Sequence, residues 1–227
     1  MIRYTLKKKD RLRVQFEAVE TIEKNFSQAY QDMLVLSVLN GKRNGTYLEI
    51  GAYHSSRISN TWLLESKFGW NGLSFDIKKS CVEDWKENRK GKFLLQDATT
   101  ADYDKCLQEA GLTTHIDYLQ LDIDPSHVTY EALLKIPFEK YSFSIITFET
   151  DYFRSKDTHA TEVRKNSREY IQSKGYVLIA GDICPGKGKP FEDWYVSKEI
   201  AESEFFRTHF EIKREFNDLG ENYVLKS

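Results

Sequence analysis

Six carboxylates, Glu49, Asp76, Asp97, Asp122, Glu149 and Asp182, each close a short apolar run. Carboxylates placed this way can accept hydrogen bonds from paired hydroxyls, take a proton from a reacting group, or hold a hard cation through oxygen. Helix capping is the competing explanation for any one of them, because an acid ahead of a helix accepts from its first amides. For six in succession, convergence on one rim is the more economical reading.

The elements that must position them are legible around them. Residues 47–51, 72–76, 93–97, 118–122, 143–149 and 176–182 read as strands. Stretches of helical period lie between them, near residues 59–68, 80–90, 102–110, 128–135 and 160–174, after a first helix that stops at Asn40-Gly41. Strand alternating with helix predicts a doubly wound, mostly parallel Rossmann-like α/β sheet with right-handed crossovers. Residues 210–216 and 223–225 flank Asp218-Leu219-Gly220 and read as a C-terminal antiparallel hairpin. The predicted organisation is an N-terminal appendage over residues 1–25 and one domain over residues 26–227. In such sheets ligands gather beyond the carboxyl ends of the strands, where the acids stand.

Composition narrows the classes. The chain has 227 residues, with 4 Trp, 13 Tyr and 14 Phe, which supply a core that a disordered chain lacks. Apolar runs such as residues 33–36 fall far short of the roughly 18 residues of a membrane span, and no secretory signal is visible, so the cytoplasm is the expected compartment. Cys81, Cys106 and Cys184 are odd in number and without Cys-x-x-Cys spacing, which fits reduced thiols. A net charge of -2 disfavours a nucleic-acid partner. The basic run from Lys7 to Arg13 is the exception, and a solvated terminal segment explains it as well.

An adenosine fits the first three strand ends. Glu49-Ile50-Gly51-Ala52 places a glycine where backbone would pass close to a ligand. Asp76 stands 27 residues beyond Glu49 (76 − 49), where a carboxylate can accept from both ribose hydroxyls. Gln96-Asp97-Ala98 offers an amide or carboxylate to an adenine amino group. The G-x-G-x-x-G fingerprint is absent after Gly51, and Gly186-Lys187-Gly188-Lys189 lacks the spacing and following Ser or Thr of a P-loop. S-adenosylmethionine carries no phosphate and tolerates a glycine-poor first loop.

The sequence resembles the FkbM-type family of S-adenosylmethionine-dependent methyltransferases. The matching pieces are Ser27-Gln28-Ala29-Tyr30-Gln31-Asp32, Gly45-Thr46-Tyr47-Leu48-Glu49-Ile50-Gly51-Ala52, Ser59-Asn60-Thr61-Trp62-Leu63-Leu64-Glu65 and Phe68-Gly69-Trp70-Asn71-Gly72-Leu73. Further matches are residues 116–124 and 146–149, so the resemblance covers patches of residues 26–182. It implies a Rossmann-like methyltransferase domain and O-methylation of a hydroxyl on a sugar, glycan or natural-product small molecule. Together with the strand ends it marks Gln28, Glu49, Gly51, Ala52, Asn60, Asp76, Ile77, Asp97 and Ala98 as cofactor-binding positions. The chain departs from the family at His54-Ser55-Ser56-Arg57, where a small residue or glycine is usual. The resemblance therefore implies a different hold on the cofactor's methionine end.

Methyl transfer to a hydroxyl needs alignment and a proton acceptor. Asp122, Asp124 and His159 are the candidates, with His127 nearby and a solvated loop histidine as the plainer alternative. Crowding of Asp122, Asp124, Glu149, Asp151 and Asp182 suggests Mg²⁺ or Ca²⁺ held by Asp122, Glu149 and Asp182, or sugar hydroxyls using the same acceptors. Residues 185–195 read either as a substrate lid presenting Trp194 or Tyr195, or as a loop anchored by buried aromatics. Three rivals stay open: a non-catalytic adenosine-cofactor-binding module, a nucleic-acid methyltransferase using the basic N-terminus and the loop of residues 186–189, and, on fold alone, a nicotinamide oxidoreductase.

Overall fold

The structure, a computed structural model, describes residues 9–154 and 158–226. Six of its strands are those the apolar runs predict: β1 Thr46–Ile50, β2 Asn71–Asp76, β3 Lys92–Leu95, β4 His115–Leu121, β5 Ser142–Glu149 and β6 Tyr176–Ile183. A seventh, β7 Glu192–Ser197, completes a sheet of order β3-β2-β1-β4-β5-β7-β6. Strands β1 to β5 pair in parallel, and β7 runs antiparallel to both β5 and β6. The helices between them are α1 Gln31–Val38, α2 Trp62–Phe68, α3 Val82–Asn88, α4 Tyr103–Glu109, α5 Ser126–Leu133 and α6 Thr158–Ser173. The C-terminal part adds α7 Lys198–Glu202, α8 Glu204–His209 and α9 Gly220–Val224. This is the doubly wound, mostly parallel Rossmann-like sheet.

The antiparallel hairpin lies earlier in the chain than expected. It is β6 and β7, joined through residues 184–191, and not residues 210–225. In the latter stretch Phe210 is buried but Ile212 is 48% exposed, so the apolar alternation does not load one face. Residues 213 and 219 each make a single parallel bridge to the β6 region, and the chain then turns into α9. The lid reading fails at the same place: Trp194 and Tyr195 are fully buried in β7.

Sheet pleat sorts the core into two layers. Leu48, Ile50, Leu73, Phe75, Leu121, Phe143 and Phe148 face α4, α5 and α6. Tyr47, Tyr118 and Ile145 face α1, α2 and the C-terminal helices. Leu12, Val14, Phe16, Val19 and Ile22, inside the predicted appendage, pack into that second layer. The Arg13 amide donates to the Val224 carbonyl at 3.0 Å and Arg13 Nε to the Tyr223 carbonyl at 2.8 Å. Residues 1–8, with Lys7 and Lys8 of the basic run, lie outside the described residues. Cys81, Cys106 and Cys184 are free and buried. Among the described residues no helix is long and apolar enough to cross a membrane.

Candidate functional site

The exit of β1 sets the geometry. Gly51 has φ +84°, and its amide and that of Ala52 both donate to the Phe75 carbonyl at 3.0 Å. A Cβ at position 51 would lie 1.6 Å from the Asp122 carbonyl oxygen, so glycine is required by the meeting of two strand ends. Beyond those ends opens a cleft of about 950 Å³, within the range of small-molecule sites.

Gln28, Glu49, Gly51, Ala52, Asn60, Asp76, Ile77, Asp97 and Ala98 all line this one cleft, together with Asp122 and Asp124. Parallel register explains the first carboxylate: Glu49 of β1 stands opposite Ser74 of β2. Its Oε2 accepts from Ser74 Oγ at 2.8 Å and Thr61 Oγ1 at 2.9 Å. Burial pushes the Glu49 carboxyl above its usual range, against the opposing pull of Arg89 and the two hydroxyls. Asp76 accepts from the Tyr53 amide at 2.7 Å and the Lys78 amide at 2.8 Å, which fixes its orientation at the end of β2. A carboxylate offers about four lone-pair sites, so acceptor capacity is left for a ligand. Exposed Asp97 accepts from the amide and hydroxyl of Thr99, each at 2.8 Å.

Two features ask for a ligand. Asn60 is 6% exposed and its Oδ1 has no hydrogen-bond partner among the described residues, although a buried acceptor is costly to leave unmade. Ile77, 72% exposed, joins Tyr53 and Ile58 as bare apolar surface on the cleft wall.

At the β4 and β5 ends acids crowd. Burial raises the Asp122 carboxyl, and burial followed by the Asp122 charge raises Glu149 well above the usual carboxylate range. Burial also raises Asp151, against the pull of Arg154. Arg154 Nη1 answers part of this charge, at 2.7 Å from Asp124 Oδ1 and 3.0 Å from Asp151 Oδ2. Deeper in, fully buried Glu192 is pushed up to about 8 by burial, with Trp194 Nε1 and Gln31 Nε2 donating to it.

His159 and Asp182 stand elsewhere. His159, on the first turn of α6, faces the His127 ring at 5.5 Å and is not among the residues lining the cleft. Residues 155–157 of its loop lie outside the described residues. Asp182 does not join Asp122 and Glu149, which corrects the three-carboxylate metal reading. Arg164 holds its two oxygens at 2.7 and 2.6 Å and Arg168 approaches at 3.0 Å. Burial alone would raise this carboxyl, and the two guanidinium groups overcome it and hold it below the usual range. Among the described residues no three His, Cys, Asp or Glu side chains come together as a metal site. Sequence reading missed Tyr53, Ile58 and Lys78 on the cleft wall, and Arg89 and Arg154 beside it. The i, i+4 pair Arg164 and Arg168 was a visible hint that a carboxylate on a neighbouring element had a partner.

The strand order with its inserted antiparallel strand, and a cleft at the carboxyl edge of β1 to β4, define the Rossmann-like methyltransferase fold. The chain is similar to the methyltransferase domain of METTL16, at 13% identity over 82% of this chain and 73% of that one, with a TM-score of 0.53. It is similar to a protein assigned as an rRNA-methylase from Clostridium thermocellum, at 16% identity over 73% of this chain and 94% of that one, with a TM-score of 0.50. At these identities the likeness concerns the fold. No family model and no curated protein matches the sequence.

Proposed function

We propose that this chain binds S-adenosylmethionine in the cleft and transfers its methyl group to a hydroxyl of a sugar, glycan or natural-product small molecule. The observation that carries the reading is that all nine expected cofactor positions line one cleft. The FkbM-type resemblance supports the hydroxyl acceptor. The residues fit the cofactor: Asp76 would accept from the ribose hydroxyls, Ile77 and Ala98 would flank the adenine, and Asp97 would face its edge. Asn60 Oδ1, Glu49 and Gln28 would receive the ammonium end, which supplies the donor that Asn60 lacks. When bound, the cofactor supplies a methyl group on a positively charged sulfur.

Asp122 is the proton acceptor in this reading. It lines the cleft, and burial raises its carboxyl toward the range of a working base, with Glu149 raised beside it. The acids Glu49, Asp76, Asp97, Asp122 and Asp124 line the wall against Lys78. That balance favours a hydroxyl-rich acceptor over a polyanion. Calorimetric titration with S-adenosylhomocysteine, followed by methyl-transfer assays on sugars, hydroxylated natural products and RNA, tests the proposal. Absence of binding refutes the cofactor. Binding without transfer to any acceptor leaves the non-catalytic module, and transfer to RNA alone replaces the acceptor class.

A further inference from the structure

Residues 53–61 build one wall of the cleft without a glycine, yet Tyr53 and Ile58 adopt left-handed backbone at φ +46° and +56°. For a β-branched residue such as Ile58 this is a strained conformation, which persists only where the surroundings impose it. The surroundings are α3 and the residue that follows it. Trp85 Nε1 donates to the Tyr53 carbonyl at 3.3 Å, and Asp84 accepts from the Ser55 amide at 2.9 Å. Arg89, its side chain wholly buried, spends most of its donors on the same loop. Nη1 reaches the Ser55 carbonyl at 2.7 Å and Ser59 Oγ at 3.4 Å. Nη2 reaches Thr61 Oγ1 at 2.7 Å and the Tyr47 hydroxyl at 3.0 Å. Nε pairs with Glu65 at 2.8 Å, and Cζ lies 4.2 Å from the centroid of the Trp85 ring.

We infer that Arg89 is the positioning residue of the candidate cofactor site: its guanidinium holds the strained loop that carries Ile58 and Asn60, and orients the Glu49 carboxylate through the Thr61 hydroxyl. Thr61 Oγ1 accepts from Arg89, so its own hydrogen is directed to Glu49 Oε2 at 2.9 Å. Charge neutralisation of Glu65 needs Nε alone. The other donors go to the cleft wall and to Tyr47. A lysine, with three donors on a point charge, cannot make this fork. The inference rests on the reading of the cleft as a cofactor site.

The test compares wild type, Thr61→Val, Thr61→Ser and Arg89→Lys by S-adenosylhomocysteine calorimetry between pH 5.5 and 8.5, with ligand-free unfolding in parallel. Thr61→Ser keeps the relay and binds within about twofold of wild type. Thr61→Val loses about tenfold or more, the scale of a hydrogen bond to a charged group. Its acid limb also moves to higher pH. Burial raises the Glu49 pKa and the Thr61 hydroxyl lowers it, so losing the hydroxyl raises it further and Glu49 protonates sooner. Arg89→Lys shifts the limb the same way. In Arg89→Lys/Thr61→Val the loss is smaller than the product of the two single losses, because both act along one path. Wild-type binding with either a folded Arg89→Lys or Thr61→Val unchanged in affinity and pH profile overturns the inference and spares the cofactor reading. No wild-type binding overturns both. Should Arg89→Lys fail to fold, Thr61→Val binding as wild type does still overturns the inference.

Discussion

Replacing Asp76 by alanine is the sharpest probe of the cleft. Its carboxylate is held by the Tyr53 and Lys78 amides at 2.7 and 2.8 Å and is half-buried at the end of β2, so its position does not depend on a ligand. A hydrogen bond from a ribose hydroxyl to a charged acceptor is worth about 1.5–3 kcal/mol. At about 1.4 kcal/mol per tenfold, Asp76→Ala weakens S-adenosylhomocysteine binding roughly 12- to 150-fold. Asp76→Asn keeps one acceptor oxygen and loses the charge, and its affinity falls between. Folding is only mildly affected, because the two freed amides sit near solvent, and ligand-free unfolding midpoints check this. Isothermal calorimetry reads the affinity. If wild type binds with one-to-one stoichiometry and Asp76→Ala binds within twofold of it, the carboxylate does not meet the ribose and the second strand end has been assigned the wrong role.

Three further outcomes follow from the geometry. Gly51→Ala forces a Cβ into the Asp122 carbonyl at φ +84° and destabilises the chain by about 3 kcal/mol or more in urea titration. Arg168→Ala strips fully buried Asp193 of the fork it accepts at 2.6 Å twice, and lowers the urea-derived stability by about 3–5 kcal/mol. Glu192, raised from 4.5 to about 8 by burial, makes the folded state bind an extra proton between those values. Its contribution is therefore full below pH 4.5 and declines as pH rises toward 8, and Glu192→Gln flattens that slope in unfolding measurements across the window.

The parallel strands were legible because β1, β2, β4 and β5 bury both faces and, like the half-buried edge strand β3, read as apolar runs closed by an acid or glycine. The strand β7 was not: Glu192-Asp193-Trp194-Tyr195 opens with two acids that fold buried, one held by Gln31 and Trp194, the other by Arg168. No local pattern announces Arg168 and Gln31, 25 and 161 residues away from the acids they hold. The same limit hid Arg89. At the end of α3 it reads as a solvated cation favouring the helix dipole, and only the return of residues 53–61 over it makes it a buried fork. The strand-end positions of the cleft were accessible because topology places strand ends together whatever the side chains between them do, whereas Gln28 and Asn60 were marked by the family resemblance. Asp182 sat at a strand end too, but β7 is inserted between β5 and β6, and α6 supplies arginines that capture it.

The clasp between Arg13 and the Tyr223 carbonyl spans 210 residues of chain. During synthesis the amino-terminal segment emerges from the ribosome long before its partners have been translated. Leu12 and Val14 must wait unprotected until α9 follows, and a nascent polypeptide stalled before residue 220 carries an open apolar edge for chaperones to meet.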